Sequence, residues 1–324
     1  MDFYQNTTFF EGLYAKMYRI RRFEEEVFEF YKRGLMPGLA HLYIGEEAVA
    51  VGACAALRES DFISSTHRGH GHMIARGADP DRMMAEILGK KTGYCQGKGG
   101  SMHIMDMSLG ILGANGIVGD GIPIATGAGY SCKYRGTDQV VLCFFGDGAS
   151  NQGTFHESIN MAAAWNLPVI YIIENNLYGI TVNIDRITKE HNLAKRALAY
   201  GIPGYTVDGN DVVAVYETVS YAVDYARDGK GPSIIECKTY RQHGHNGGDN
   251  GAYRADGELE YWKSRDPLKL FKSKSYIPDS KIKVIESEVE LEIRNACSFA
   301  EESPYPSDDD LFKGIFYENS GGNL

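Results

Sequence analysis

Two short polar turns in this 324-residue sequence carry the residue types that could do chemistry. Gly146-Asp147-Gly148 follows the apolar run VVLCFF (140–145), and Asn175-Asn176 follows PVIYII (168–173). Both runs are continuous and rich in β-branched and aromatic residues, the composition of strands buried on both faces of a parallel sheet. In open parallel sheets ligands gather beyond the carboxyl ends of the strands, so the two turns should face one crevice. Asp147 offers a charged oxygen and an Asn of the second turn a neutral one. That pair suits a hard cation such as magnesium carrying phosphate oxygens, and suits zinc poorly. The glycines admit a bulky anion close to the backbone, and a helix from about 152 would present its amides and positive end. The turns therefore predict a magnesium diphosphate site.

A strand followed by GDG is often only a turn, and so is NN before glycine. What favours a ligand is the placement of both at the ends of adjacent core strands with one amphipathic helix between them. Two familiar phosphate loops do not fit. The sixth position of GDGASNQG, where G-x-G-x-x-G needs glycine, is Asn151, and no G-x-x-x-x-G-K-[ST] occurs.

The elements that must position these turns can be read from periodicity. Residues 9–33 carry apolar side chains at helical spacing, ended by Gly34, Pro37 and Gly38. A loop bearing His41 leads to a helix near 46–58. DFISS reads as a short strand ending in a polar, glycine-rich turn, THRGHGH (66–72), and a helix around 80–90 follows. The stretch 93–123 reads as too broken for regular structure. A small-residue helix is expected over 122–135, and strand, helix and strand over 140–173 form a βαβ unit. SIIECKTY (233–240) is a later strand running into RQHGHNGGD, and 280–302 reads as a surface helix before the tail FYENSGGNL. The expected class is α/β with a mostly parallel sheet flanked by helices. No linker composition cuts the chain, so 1–324 reads as one domain with an N-terminal helical arm and a C-terminal helical tail.

Composition narrows the function. A scattered net charge of −10 argues against nucleic-acid binding. No apolar run reaches the ~18 residues of a membrane helix, and the first residues resemble no targeting segment. Six cysteines without CxxC spacing read as free core thiols in a reducing compartment, which makes the cytoplasm the expected location.

GDG, 26 residues, then NN resembles the thiamine-diphosphate signature. GLAHLYIGEEA, RGHGHMIARG, GKGGSMH, GANGIVG, GDGASNQGTFHE, ENNLYG and KTYRQHGH, in that order, resemble the α subunit of the decarboxylating component of 2-oxo acid dehydrogenase complexes. The resemblance implies the thiamine-diphosphate-binding fold. It implies that Asp147, Asn176 and the backbone carbonyl of Tyr178 ligate magnesium, and that Gly148 and Ala149 contact the diphosphate through amides. Arg68 and Arg241 would pair with diphosphate oxygens, with His67 alongside, and backbone groups of Gly116 and Val118 would hold the aminopyrimidine. His41 and His245 match the two active-site histidines, and imidazole titrates in the pH range where such proton transfers occur. His103, His156 and His191 read as structural, and His243 as orienting the loop of His245. His67, His70 and His72 form H-x-x-H-x-H but lack a Cys or carboxylate at matching spacing, so they read as no metal site.

In this family the glutamate that activates the cofactor comes from a second chain, and nothing here resembles that chain. The resemblance therefore implies an α2β2 heterotetramer with a β subunit, and a lipoylated acyltransferase as acceptor. Mitochondrial pyruvate enzymes carry Tyr-Arg where this chain has His67-Arg68. STHRGHGH with GANGIVG looks more like bacterial acetoin dehydrogenase α chains, which favours acetoin as substrate over pyruvate or another 2-oxo acid. The loop HNGGDNGAYR places Asn246 and Ala252 where mitochondrial members have phosphorylated serines, so inactivation there is not expected. That loop is also the one feature favouring a carboligase or transketolase-like half with a sugar acceptor. A non-catalytic subunit would need loss of Asp147, Asn176, His41 or His245, and all four are present.

Overall fold

A computed structural model describes residues 6–313. The tail FYENSGGNL lies outside the described residues. In chain order the elements are α1 (Thr7–Lys32), α2 (Glu47–Ala55), β1 (Phe62–Thr66), α3 (His70–Ala75), α4 (Pro80–Ile87), β2 (Ile111–Asn115), α5 (Gly121–Arg135), β3 (Val141–Gly146), α6 (Gly153–Ala164) and β4 (Val169–Asn175). A two-residue ribbon, β5 (Tyr178–Gly179) and β6 (Val182–Asn183), precedes β7 (Gly204–Asp208), α7 (Val212–Arg227) and β8 (Ser233–Lys238). Three helices, α8 (Glu258–Ser264), α9 (Pro267–Ser273) and α10 (Asp279–Glu302), complete the set.

Six strands pair in the order β2-β1-β3-β4-β8-β7, every pairing parallel. The order reverses between β1 and β3, because the chain runs outward to β2 and then returns to the other side of β1. A crevice opens at such a switch point. The central strands show the alternation that two buried faces require. Leu142, Phe144, Ile170 and Ile172 enter one core with α1, α2, α7 and α10; Val141, Cys143, Phe145, Tyr171 and Ile173 enter the other with α5 and α6. Among the described residues no helix is long and apolar enough to cross a membrane.

The helix expected at the amino terminus is present and packed: Phe10, Leu13, Tyr14, Met17, Ile20, Phe23, Val27 and Phe30 are buried on one stripe. In α10 the buried series Ile282, Ile285, Val289, Ile293, Ala296 and Ala300 makes it an amphipathic cover rather than a loose tail. Three expectations need correction. The stretch 93–123 holds a regular element, β2, whose parallel pairing with β1 overrides its weak local signal. The turn read over 66–72 ends in helix, since α3 begins at His70. Gly71 serves packing there: a methyl in its place would sit 2.6 Å from Cε1 of Tyr43. Finally, the stretch between 177 and 232, left without elements by the sequence reading, contains β7 and α7.

Candidate functional site

Five strand ends deliver the site. His67 and Arg68 follow β1; Ile117 and Val118 follow β2; Asp147 to Ala149 follow β3; Asn176 follows β4; Arg241 and His245 follow β8. Together they line one cavity of about 300 Å³. Of the sequence-predicted residues, His67, Arg68, Val118, Asp147, Gly148, Ala149, Asn176, Tyr178, Arg241 and His245 lie in its wall. His41 stands behind it, with its ring 4.9 Å from that of His67 and 5.0 Å from that of His245. Gly116 lies outside the wall, and a Cβ there would point at His103 Nε2, 3.2 Å away.

Asp147 is 1% exposed, and its Oδ2 makes no hydrogen bond among the described residues. Burial raises its carboxyl to about 7, against the pull of nearby amides and Arg241. A buried carboxylate oxygen left without a donor carries a desolvation penalty that a bound cation would remove. The Gly148 and Gly179 turns meet closely as well: a Cβ on Gly148 would lie 3.3 Å from the Gly179 Cα. The first turn after β3 is 3-10 (Gly148–Asn151), and α6 starts only at Gly153. Both this turn, through Gly148 and Ala149, and the α6 N-cap, Gln152, line the cavity.

Asn176 donates through Nδ2 to both carboxyl oxygens of Glu46, at 3.2 Å each. Glu46 is fully buried at the start of α2, with Arg68 Nε 3.7 Å from one oxygen. Burial and the neighbouring Glu174 push its carboxyl up to about 8, with Arg68 opposing. Glu174, the penultimate residue of β4, accepts from the Tyr43 hydroxyl, with His72 Nε2 3.0 Å away. Sequence reasoning missed Glu46, Glu174 and Gln152, all in the cavity wall. The signal existed: a glutamate near the end of an otherwise apolar strand, and Glu46-Glu47 opening an apolar helix, are charges that need a buried reason.

The two arginines differ from a pair of free forks. Arg68 donates to the carbonyls of Leu42 (2.6 Å) and His245 (3.0 Å), so it braces the loop of His41 against that of His245. Arg241 donates to the Ile180 carbonyl (2.9 Å) and the Tyr253 hydroxyl (2.7 Å), while its Nε has no partner among the described residues. Burial and Arg241 lower Arg68 to about 10, still protonated at neutral pH. The loop after β8 is held by Asp249, which accepts from the amides of His245 (2.6 Å) and Gly251 (2.8 Å) and from Tyr253 (2.7 Å).

The histidines are not poised at neutral pH in this state. Burial, then Arg68, lowers His41 to about 3, His67 to about 2 and His245 to about 4. All three are neutral imidazoles that can accept a proton only from a strong acid or after an anion has offset the arginines. His70 and His72 are structural. His70 bridges Glu24 (3.0 Å) and Ser101 (3.1 Å to its carbonyl), and His72 lies between Ser65 (2.8 Å) and Glu174. His103, His156 and His191 are exposed, partnered by Gly99, Tyr200 and Asp185. His243 packs edge-on against Phe28.

A model of the dehydrogenase E1 component family matches residues 15–308. The α subunit of acetoin:2,6-dichlorophenolindophenol oxidoreductase from Bacillus subtilis (strain 168) is 51% identical over 316 residues, 95% of this chain and 94% of that protein. The protein of the same name from Cupriavidus necator is 48% identical, covering 94% of this chain and 93% of its own. The pyruvate dehydrogenase E1 component α subunit of Rhizobium meliloti is 42% identical, covering 93% and 88%.

Proposed function

The chain belongs to the dehydrogenase E1 component family, and from that membership we propose that it is the α subunit of a thiamine-diphosphate enzyme that cleaves acetoin. The acetyl-level unit would pass to a lipoyl group on an acyltransferase. The reading rests on the higher identity to acetoin-named than to pyruvate-named relatives, together with His67 in the cavity wall. Pyruvate is the second reading, supported by relatives at 42% identity.

The observation that carries the cofactor is the orphaned Oδ2 of Asp147 beside the Gly148–Gly179 approach. Asp147, the side-chain oxygen of Asn176 and the carbonyl of Tyr178 would hold magnesium. Amides of Gly148 and Ala149 would meet the diphosphate, and Arg241 would turn its free Nε to it. Arg68 would set the charge and hold the histidine loops in register. Val118 would bear on the pyrimidine end, whereas Gly116, outside the wall, would act only by shaping the turn that carries it. Bound there, thiamine diphosphate supplies the nucleophilic carbon and the electron sink for carbon–carbon cleavage. His41 and His245 would orient the substrate oxygen and relay its proton, with His67 narrowing the space between them.

At the cavity mouth Ile117 is 65% and Val118 48% exposed, apolar residues that favour covering by another chain. With relatives named as α subunits, this supports a β subunit, and we propose an α2β2 heterotetramer. Six free cysteines fit a reducing compartment, and we place the enzyme in the cytoplasm. The test is co-expression with a β chain. Turnover should need both chains, thiamine diphosphate and magnesium; turnover by the α chain alone would refute the reading.

A further inference from the structure

We propose that His41, His67 and His245 form a second cation site, selective for a transition-metal ion of the zinc class over magnesium. One ligand atom from each residue lies within 4.8 Å of the other two. The rings pack at 4.9, 5.0 and 5.7 Å between centroids. Zinc–nitrogen bonds of about 2.0–2.1 Å place tetrahedral donors roughly 3.4 Å apart, so closure asks about 1.4 Å of convergence at most. Imidazole rings on rotatable side chains can supply that by torsion.

A second observation points to a ligand. His41 is 6% exposed, and its Nδ1 makes no hydrogen bond of normal geometry among the described residues, with only a weak contribution to the ring from the Leu39 backbone. A buried ring nitrogen without a well-formed hydrogen bond is unusual and leaves a lone pair or an N–H poorly met. All three imidazoles are neutral at neutral pH, so a metal would not compete with protons for them. Three histidines and no carboxylate suit zinc, cobalt or copper rather than magnesium, which takes oxygen ligands. The Asp147 and Asn176 oxygens stand in the same cavity and make the opposite selection.

Two charges oppose the site. Arg68 and Arg241 depress the histidine pKa values and would repel a cation, while Asp249 acts in the other direction on His245. The site is therefore of moderate affinity in the empty enzyme and would strengthen when an anion offsets the guanidiniums. Three protein ligands leave a fourth position open to water. If His41 and His245 handle substrate as proposed above, an ion there ties up both and inhibits.

The test uses the complete α/β complex in excess magnesium, titrated with Co2+ and followed by its visible absorption. The proposal expects one Co2+ per α chain with the bands of a four- or five-coordinate ion, displaced by Zn2+. His67→Phe should weaken Co2+ binding by about tenfold or more, and His103→Ala should not. If His67→Phe does not fold, His245→Gln is read in its place. No such bands under excess magnesium, or equal Co2+ affinity in wild type and His67→Phe, would overturn the site. The metal readout needs no turnover. A complex that binds Co2+ but never cleaves acetoin would refute the proposed function and leave this site standing.

Discussion

The side-chain amide of Asn176 donates to both carboxyl oxygens of Glu46, 3.2 Å from each. In this arrangement the NH2 faces Glu46 and the oxygen faces away, receiving only a 3.4 Å approach from the Tyr178 amide. The neutral oxygen expected of a magnesium ligand is thus presented by a glutamate on another element.

Removing that glutamate should weaken cation binding without touching a ligand. Glu46→Ala leaves the Asn176 amide buried and unmet, a loss of about 1–3 kcal/mol. The Mg2+ dissociation constant should rise about tenfold, and Glu46→Gln, which keeps one acceptor oxygen, should recover part of it. Calorimetric titration of Mg2+ into the three proteins decides this; equal affinities would show that Glu46 does not orient Asn176.

Cation binding should depend on pH through Asp147. Its raised carboxyl, at about 7, is largely protonated in the empty site below neutrality. A cation needs the charged form, so binding releases a proton there and affinity climbs as pH rises, levelling above about 7. The same sign governs stability. The folded state holds the proton more tightly than the unfolded chain, so the empty protein loses stability as pH rises from the ordinary carboxylate range toward 7, and magnesium restores it. Affinity at pH 6 should be about tenfold below that at pH 8. Asp147→Asn should abolish the dependence and the magnesium-induced rise in melting temperature. A flat pH profile in the wild type would contradict the raised carboxyl.

One chemical change at two glycines should act in opposite directions. Gly71→Ala drives a methyl against the buried Tyr43 ring, which also anchors Glu174. Such overpacking costs about 1–3 kcal/mol. Gly12 lies exposed inside α1 with nothing near its Cβ direction, so Gly12→Ala should stabilise by about 0.5–1 kcal/mol. Chemical denaturation of both variants checks the pair; destabilisation by Gly12→Ala would mean that the helix face is covered in the assembled enzyme.

These cases mark what the sequence could reveal. The turns after β3 and β4 were legible because a continuous apolar run ending in polar residues has few structural solutions. The helices α1 and α10 were legible from their apolar stripes. β2 was not, since ILGAN carries two small residues and gains its strand state only by pairing with β1. α7 was legible in principle: Val212, Val215, Val219, Ala222, Val223 and Ala226 repeat at helical spacing. The buried charge of Glu46 is signalled locally, but its contact with Asn176, like that of Arg68 with the His245 carbonyl, joins segments far apart in sequence and is encoded by no local pattern. The depressed histidines are of the same kind. Their residue type suggests titration near neutrality, and burial beside two arginines removes it.

The most direct measurement is the substrate preference of the assembled enzyme. The α chain is co-expressed with its β chain, supplied with thiamine diphosphate and Mg2+, and followed by dichlorophenolindophenol reduction with acetoin or pyruvate. The account predicts kcat/KM for acetoin at least about tenfold above that for pyruvate, a difference of about 1.4 kcal/mol in transition-state binding, with His67→Tyr narrowing the gap. Equal or greater efficiency with pyruvate, unchanged by His67→Tyr, would contradict it.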